Sequence, residues 1–178
     1  RMEYTAFGTN DRGWQYTECG QIDGISGSVD LNAFGNAEKA AEDAVSSTVP
    51  IYRVYNRNSG LHHYSANYNE IAVLIKRGWS FEGVSFSAAK EGKPVYRLYD
   101  PHDGNHLYTV SKNEKRHLIS IGWNDGGIGW HTSDDGAVNV YRLYNPRSGE
   151  HIFTADRHEY DKVGSIGWHK EGVAWKGN

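Results

Sequence analysis

The sequence predicts a mainly β fold with short helices (α+β), built as three strand–strand–helix–strand repeats in one compact, pseudo-threefold, trefoil-like domain. Three observations predict it. First, Ile51-Tyr-Arg-Val-Tyr-Asn56, Val95-Tyr-Arg-Leu-Tyr-Asp100 and Val140-Tyr-Arg-Leu-Tyr-Asn145 recur at spacings of 44 and 45 residues; self-similarity at such a period marks a repeat architecture. Second, each run alternates with the two-residue period of a half-buried strand. Third, each copy later carries the same helix-start signal.

Each copy reads the same way along its length. After the first strand comes a turn: Asn56-Arg-Asn-Ser-Gly60, Asp100-Pro-His-Asp-Gly104, Asn145-Pro-Arg-Ser-Gly149. Pro at the second position and Gly at the last suit a type I turn closed by a left-handed residue. A second strand returns from His62, His106 and His151. Asn67, Ser111 and Asp156 then stand three residues before Glu70, Glu114 and Glu159, which is a capping box opening a helix of about three turns. Gly78, Gly122 and Gly167 end the helices. A third strand runs to Phe86, Trp130 and Trp175, with Gly83, Gly127 and Gly172 marking a bulge or a close backbone contact.

Copies two and three match at 16 of 36 aligned positions. A unit of about 36 residues is too small to bury its own aromatics, so three units are expected to share one core. A closed body is favoured over an open array, because open arrays carry polar end caps and the third copy has none.

Composition excludes several classes. The chain has 178 residues with 12 Tyr, 6 Trp and 5 Phe, too aromatic for simple disorder. No apolar run approaches the roughly 20 residues that span a bilayer, and no signal peptide is visible. A single cysteine, Cys19, rules out an intrachain disulfide. The net charge of -3 gives no general attraction to nucleic acid. No P-loop, dinucleotide fingerprint or nucleophile elbow occurs. One repeated histidine per copy, without an adjacent acidic pattern, does not describe a zinc site. No metal, cofactor, nucleic acid or membrane is expected.

Charge divides the chain. Residues 1–48 carry three basic and eight acidic residues; residues 49–178 carry sixteen and fourteen. The expected organisation is an N-terminal piece at 1–35, an Ala/Glu-rich linker at 36–50 stopped by Pro50, and repeats at about 51–93, 94–138 and 139–178.

Nine positions are identical in all three copies. Glycines serve turns, the glutamate serves the cap, and most Tyr and Trp serve the core. The arginines Arg53, Arg97 and Arg142 and the histidines His62, His106 and His151 fit a core poorly, since buried charge is costly without a partner. They are expected either in an internal Arg–Tyr or His–backbone network holding each unit together, or in a polar-aromatic pocket repeated three times. In the second case Tyr55, Tyr99, Tyr144, Trp130 and Trp175 offer faces to sugar C–H groups, and Arg and His bind hydroxyls or anions. The binding alternative expects Arg97→Ala and Arg142→Ala to weaken binding at nearly constant melting temperature.

Trp14-Gln-Tyr16, followed by Gly24-Ile-Ser-Gly-Ser-Val-Asp-Leu-Asn32, resembles the last strands of family 25 glycoside hydrolases, the lysozyme-type muramidases of phage endolysins and bacterial autolysins. The resemblance covers residues 12–35. It implies a remnant of a β/α barrel, with Asp30 matching an aspartate at the catalytic cleft and Trp14 and Tyr16 near sugar subsites. The family's Asp-x-Glu pair occurs nowhere in this sequence. A glycosidase needs two carboxylates across the bond, and a full barrel needs on the order of 200 residues. The piece is therefore expected to be catalytically inactive. The repeats are similar to a bacterial repeat family of uncharacterised function carrying Tyr-Arg-Leu-Tyr-Asn-Pro-x-Ser-Gly-x-His-x-Tyr-Thr, often found behind cell-wall hydrolases. Copy one departs from it at Arg57 and Phe86.

The resemblances imply a cell-wall-binding module of a bacteriolytic muramidase, secreted or released by phage lysis and acting at Gram-positive envelopes. The expected partner is peptidoglycan, wall polysaccharide or teichoic acid. Two alternatives stand beside it: an oligomerisation or spacer domain associating with full-length lysin, and a fragment that keeps lysozyme activity.

Overall fold

A computed structural model describes residues 5–6, 14–20, 29–33, 48–132 and 134–178, with side chains from residue 48 onward. The chain forms two compact units, Arg1–Ser46 and Ser47–Asn178.

In the first unit, β1 (Thr5–Ala6), β2 (Trp14–Gly20) and β3 (Val29–Ala33) form an antiparallel sheet in that order. Trp14-Gln-Tyr16 opens β2, and Asp30 lies on β3. The side chain of Asp30 and residues 36–47 of the expected linker lie outside the described residues.

The second unit is mainly β, with three short helices and antiparallel sheets. Its elements are β4 (Thr48–Tyr55), β5 (His62–Ser65), α1 (Tyr68–Lys76), β6 (Ser80–Ala89), β7 (Lys93–Tyr99), β8 (His106–Thr109), α2 (Lys112–Ser120), β9 (Asn124–Thr132), β10 (Val138–Tyr144), β11 (His151–Thr154), α3 (Arg157–Ser165) and β12 (His169–Gly177). The strand–strand–helix–strand order thus recurs three times. In each copy the first strand lies between the other two: β5-β4-β6, β8-β7-β9 and β11-β10-β12.

β4 begins within the residues expected to be linker. Pro50 pairs with Ser87 of β6, while β5 joins β4 only from Tyr52 onward. The missing proline N–H therefore costs no ladder bond, which is how a strand tolerates proline.

Local chemistry explains the elements. The first residue of each turn accepts a hydrogen bond through its side chain from the N–H two residues on: Asn56, Asp100 and Asn145. Its carbonyl also accepts from the closing glycine. The helix caps are Asn67, Ser111 and Asp156. The box glutamates, however, do not reach back. The cap N–H groups instead donate to Ser65, Thr109 and Thr154 hydroxyls at 3.0, 2.9 and 3.0 Å, and the glutamates are free for another task. In copies one and three the register of the third strand slips next to Gly83 and Gly172. These glycines have φ of 91° and 89°, a bulge conformation that favours glycine.

The alternation of the first strand is resolved into two faces. Tyr141 and Leu143 pack with Ile152 and Tyr160 under α3. Ile51, Val95 and Val140 face a core that draws on all three copies. Tyr64, Tyr108 and Phe153 meet edge to face with centroids 5.7, 5.8 and 5.7 Å apart. Phe86, Trp130 and Trp175 form a second triangle at 5.7, 6.0 and 5.9 Å.

The phenol groups join copies through backbone. Tyr64 Oη donates to the Phe153 carbonyl at 3.0 Å and accepts from its N–H at 2.9 Å. Tyr108 Oη makes the same two contacts with Tyr64, at 2.7 and 3.2 Å. Copy three has Phe153 there instead. By the same geometry, Phe153→Tyr places a hydroxyl against the Tyr108 backbone, and we expect a gain of about 1 kcal/mol in urea unfolding. An unchanged or lowered midpoint contradicts this.

Candidate functional site

The repeated arginines and glutamates pair across copies. Arg53 holds Glu159 of copy three at 2.9 and 3.0 Å. Arg97 holds Glu70 of copy one at 2.9 Å, and Arg142 holds Glu114 of copy two at 3.0 Å. Each copy thus grips the preceding one, and copy one grips copy three. The glutamates that the sequence assigns to helix caps are the partners the arginines need. The arginines find their charge partners in glutamates of other units, and Arg53 also lies beside the Tyr64 phenol expected of an Arg–Tyr network; carboxylates neutralise charge where a phenol does not.

The bulge adds a second carboxylate where its residue is acidic. Arg53 Nε meets Glu82 at 2.8 Å, and Arg142 Nε meets Glu171 at 2.6 Å. Copy two has Gly126 at that position. Hydrogen bonds from His63, Arg97 and Ser65 outweigh burial and hold Glu70 well below the usual carboxylate range. Burial raises Glu159 and is outweighed by bonds from Arg53 and Thr154, so it too stays low.

Histidine and the second strand tyrosine are brought together in every copy. Tyr55–His62, Tyr99–His106 and Tyr144–His151 are directly opposed in the sheets, with ring centroids 4.9 Å apart in each case. Burial, with His63 and Arg97 nearby, pushes His106 down to about 3. Burial and Arg142 push His151 down to about 4. Both rings are neutral at neutral pH and offer one donor and one acceptor.

Two hollows of matching composition lie at successive copy boundaries. One, of about 180 Å³, is lined by Glu70, Arg97, Ile128 and Trp130 among others. The other, of about 210 Å³, is lined by their counterparts Glu114, Arg142, Val173 and Trp175. The indole rings are in the core, only 4% and 6% exposed, so their faces are not open for stacking on sugars as the sequence suggested. Their Nε1 atoms are nonetheless buried with no hydrogen-bond partner. Ile128 and Val173 are 54% and 49% exposed, as is their copy-one counterpart Val84 at 54%.

A third, larger cleft of about 410 Å³ lies at the joint of copies one and three, lined by Tyr55, His62, Glu82, Asn145, Glu150 and Trp168 among others. His62 Nδ1 is 2.8 Å from Glu150, whose carboxylate also accepts from the His62 N–H at 2.6 Å. His62 Nε2 is 3.6 Å from Glu82. Sequence reasoning missed Glu150. Its signal was a departure between copies, since the residue before histidine is Leu61, Asn105 or Glu150.

Of the expected site residues, Arg97, Arg142, Trp130 and Trp175 border the paired hollows, and Tyr55 and His62 border the third cleft. Arg53 is tied into the ion pairs beside that cleft. Tyr99, Tyr144, His106 and His151 form ring pairs. Among the described residues, no group of three or more His, Cys, Asp or Glu could hold a metal ion.

No curated protein matches the chain, and no solved structure does. A family model described as a domain of unknown function (DUF5648) matches residues 36–178. The chain, matched over most of its length, belongs to that family.

Proposed function

We propose that the three copies close into a pseudo-threefold, trefoil-like body that binds a bacterial cell-wall polymer, a glycan strand or wall polysaccharide, and anchors a muramidase to Gram-positive envelopes. The single observation that carries the reading is the matched pair of boundary hollows. Each combines an exposed β-branched residue and an Arg–Glu pair beside a buried indole. The guanidinium and carboxylate of each pair offer charged donors and acceptors to ligand hydroxyl and carbonyl groups. The hollows are small, so each takes a substituent of a sugar rather than a ring. Two weak sites on one body gain avidity on a polymer with repeating units.

The muramidase part of the proposal rests on the resemblance at residues 12–35. One aspartate, Asp30, is not the pair of carboxylates that glycoside hydrolysis needs; in this reading the chain serves as an anchor at the wall and does not cut.

Sedimentation with purified Gram-positive cell walls tests the reading. The wild-type chain is expected in the pellet. Ile128→Glu combined with Val173→Glu is expected to weaken binding at least tenfold with little change in melting temperature, since both residues are exposed. Wild-type protein left in the supernatant across several species would overturn the proposal, as would a double variant that binds unchanged.

A further inference from the structure

We propose that the cleft between copies one and three is a separate site that takes an ammonium group. This inference does not depend on the wall-binding reading and rests on different residues.

The joint is the one place in the repeat pattern where acids occupy both positions facing a single imidazole. Glu150 comes from copy three, where the other copies have Leu61 and Asn105; Glu82 comes from the bulge, where copy two has Gly126. His62 lies between them, 2.8 Å from Glu150 and 3.6 Å from Glu82. Glu150 is only 3% exposed. The charges in contact here are one guanidinium, Arg53, and three carboxylates, Glu82, Glu150 and Glu159. An excess of negative charge therefore remains whether or not the imidazole is protonated.

The walls of the cleft also carry aromatic side chains: Tyr55, which lies against His62 at 4.9 Å between centroids, and Trp168 from copy three. Aromatic faces attract cations, and Trp most strongly. A cleft of about 410 Å³ is within the range of small-molecule sites and twice the size of the boundary hollows. Acid excess and aromatic walls together describe a receptor for an amine-bearing small group, with the amide of Asn145 beside it for a neighbouring hydroxyl. A sugar that has lost its N-acetyl group and a peptide side-chain amine share this chemistry.

Titration of the ¹⁵N-labelled chain distinguishes these sources. Glucosamine represents the sugar, Nα-acetyl-lysine the peptide amine, and N-acetylglucosamine is the uncharged control. At least one amine probe is expected to shift the Trp168 indole signal with millimolar or tighter affinity, and the tighter of the two assigns the source. N-acetylglucosamine is expected to leave the signal in place. Glu82→Gln is expected to weaken the amine at least fivefold. Because Glu82 also pairs with Arg53, Tyr55→Leu serves as a second variant with the same expected loss. The Ile128→Glu, Val173→Glu double variant is expected to bind the amine normally, which separates this site from the wall-binding hollows. An unmoved Trp168 signal with both amines, or equal shifts with N-acetylglucosamine, would overturn the proposal.

Discussion

Tyr64→Ala is expected to lose about 4–5 kcal/mol and to unfold all three copies in one transition. Tyr64 is 1% exposed and touches an aromatic ring from each of the other copies. Truncating a buried aromatic to alanine costs about 3–5 kcal/mol through lost transfer energy and the cavity left behind. The change also strips both backbone groups of Phe153 of their phenol partner, and buried polar groups left unpaired add to the cost. Natural domains are stable by only about 5–15 kcal/mol, so the variant approaches the threshold of folding. Urea unfolding followed by near-UV circular dichroism and by tryptophan fluorescence checks it. The two probes should coincide at a much lower midpoint. A loss under about 1 kcal/mol, or two separated transitions, would mean the copies do not share one core. Tyr64→Phe, which keeps the ring and removes the hydroxyl, should cost about 1–3 kcal/mol.

Arg53→Ala carries the second large effect, about 3 kcal/mol. Breaking a buried ion pair from one side costs about 3–5 kcal/mol because the partner charge stays behind, and the partial exposure here lowers that figure. The order among the three arginines follows from their surroundings. Arg53 and Arg142 each face two carboxylates and are 15% and 20% exposed, while Arg97 pairs with Glu70 alone and is 28% exposed. The expected order of loss is Arg53, then Arg142, then Arg97. Thermal melts of the three alanine variants read it directly, and equal small shifts would contradict it. This replaces the expectation of a nearly constant melting temperature, since the arginines join one copy to another.

Much of the repeat was legible because its signals are local. The turn side chains of Asn56, Asp100 and Asn145, the helix caps at Asn67, Ser111 and Asp156, and the bulge glycines each act within a few residues. The partner of each arginine was not legible. Periodicity states that Arg53 and Glu70 repeat, but not that the arginine of one copy meets the glutamate of another. Glu70 was assigned to its cap because the capping box is the nearest use for it; Ser65 taking the cap N–H was invisible in the alternation of the strand. Trp130 and Trp175 offer open faces only in the pocket alternative; the core shared by the three copies buries them. Glu150 was overlooked because attention to identical positions hides the informative exception.

The measurement that tests the central claim most directly is a ¹⁵N titration of the whole chain with soluble wall-glycan fragments, read at the indole N–H signals. The account predicts that the Trp130 and Trp175 signals move together and saturate with one midpoint, as ligand fills the two hollows that these indoles line. Indole signals that stay in place at fragment concentrations sufficient to saturate wall binding would contradict it.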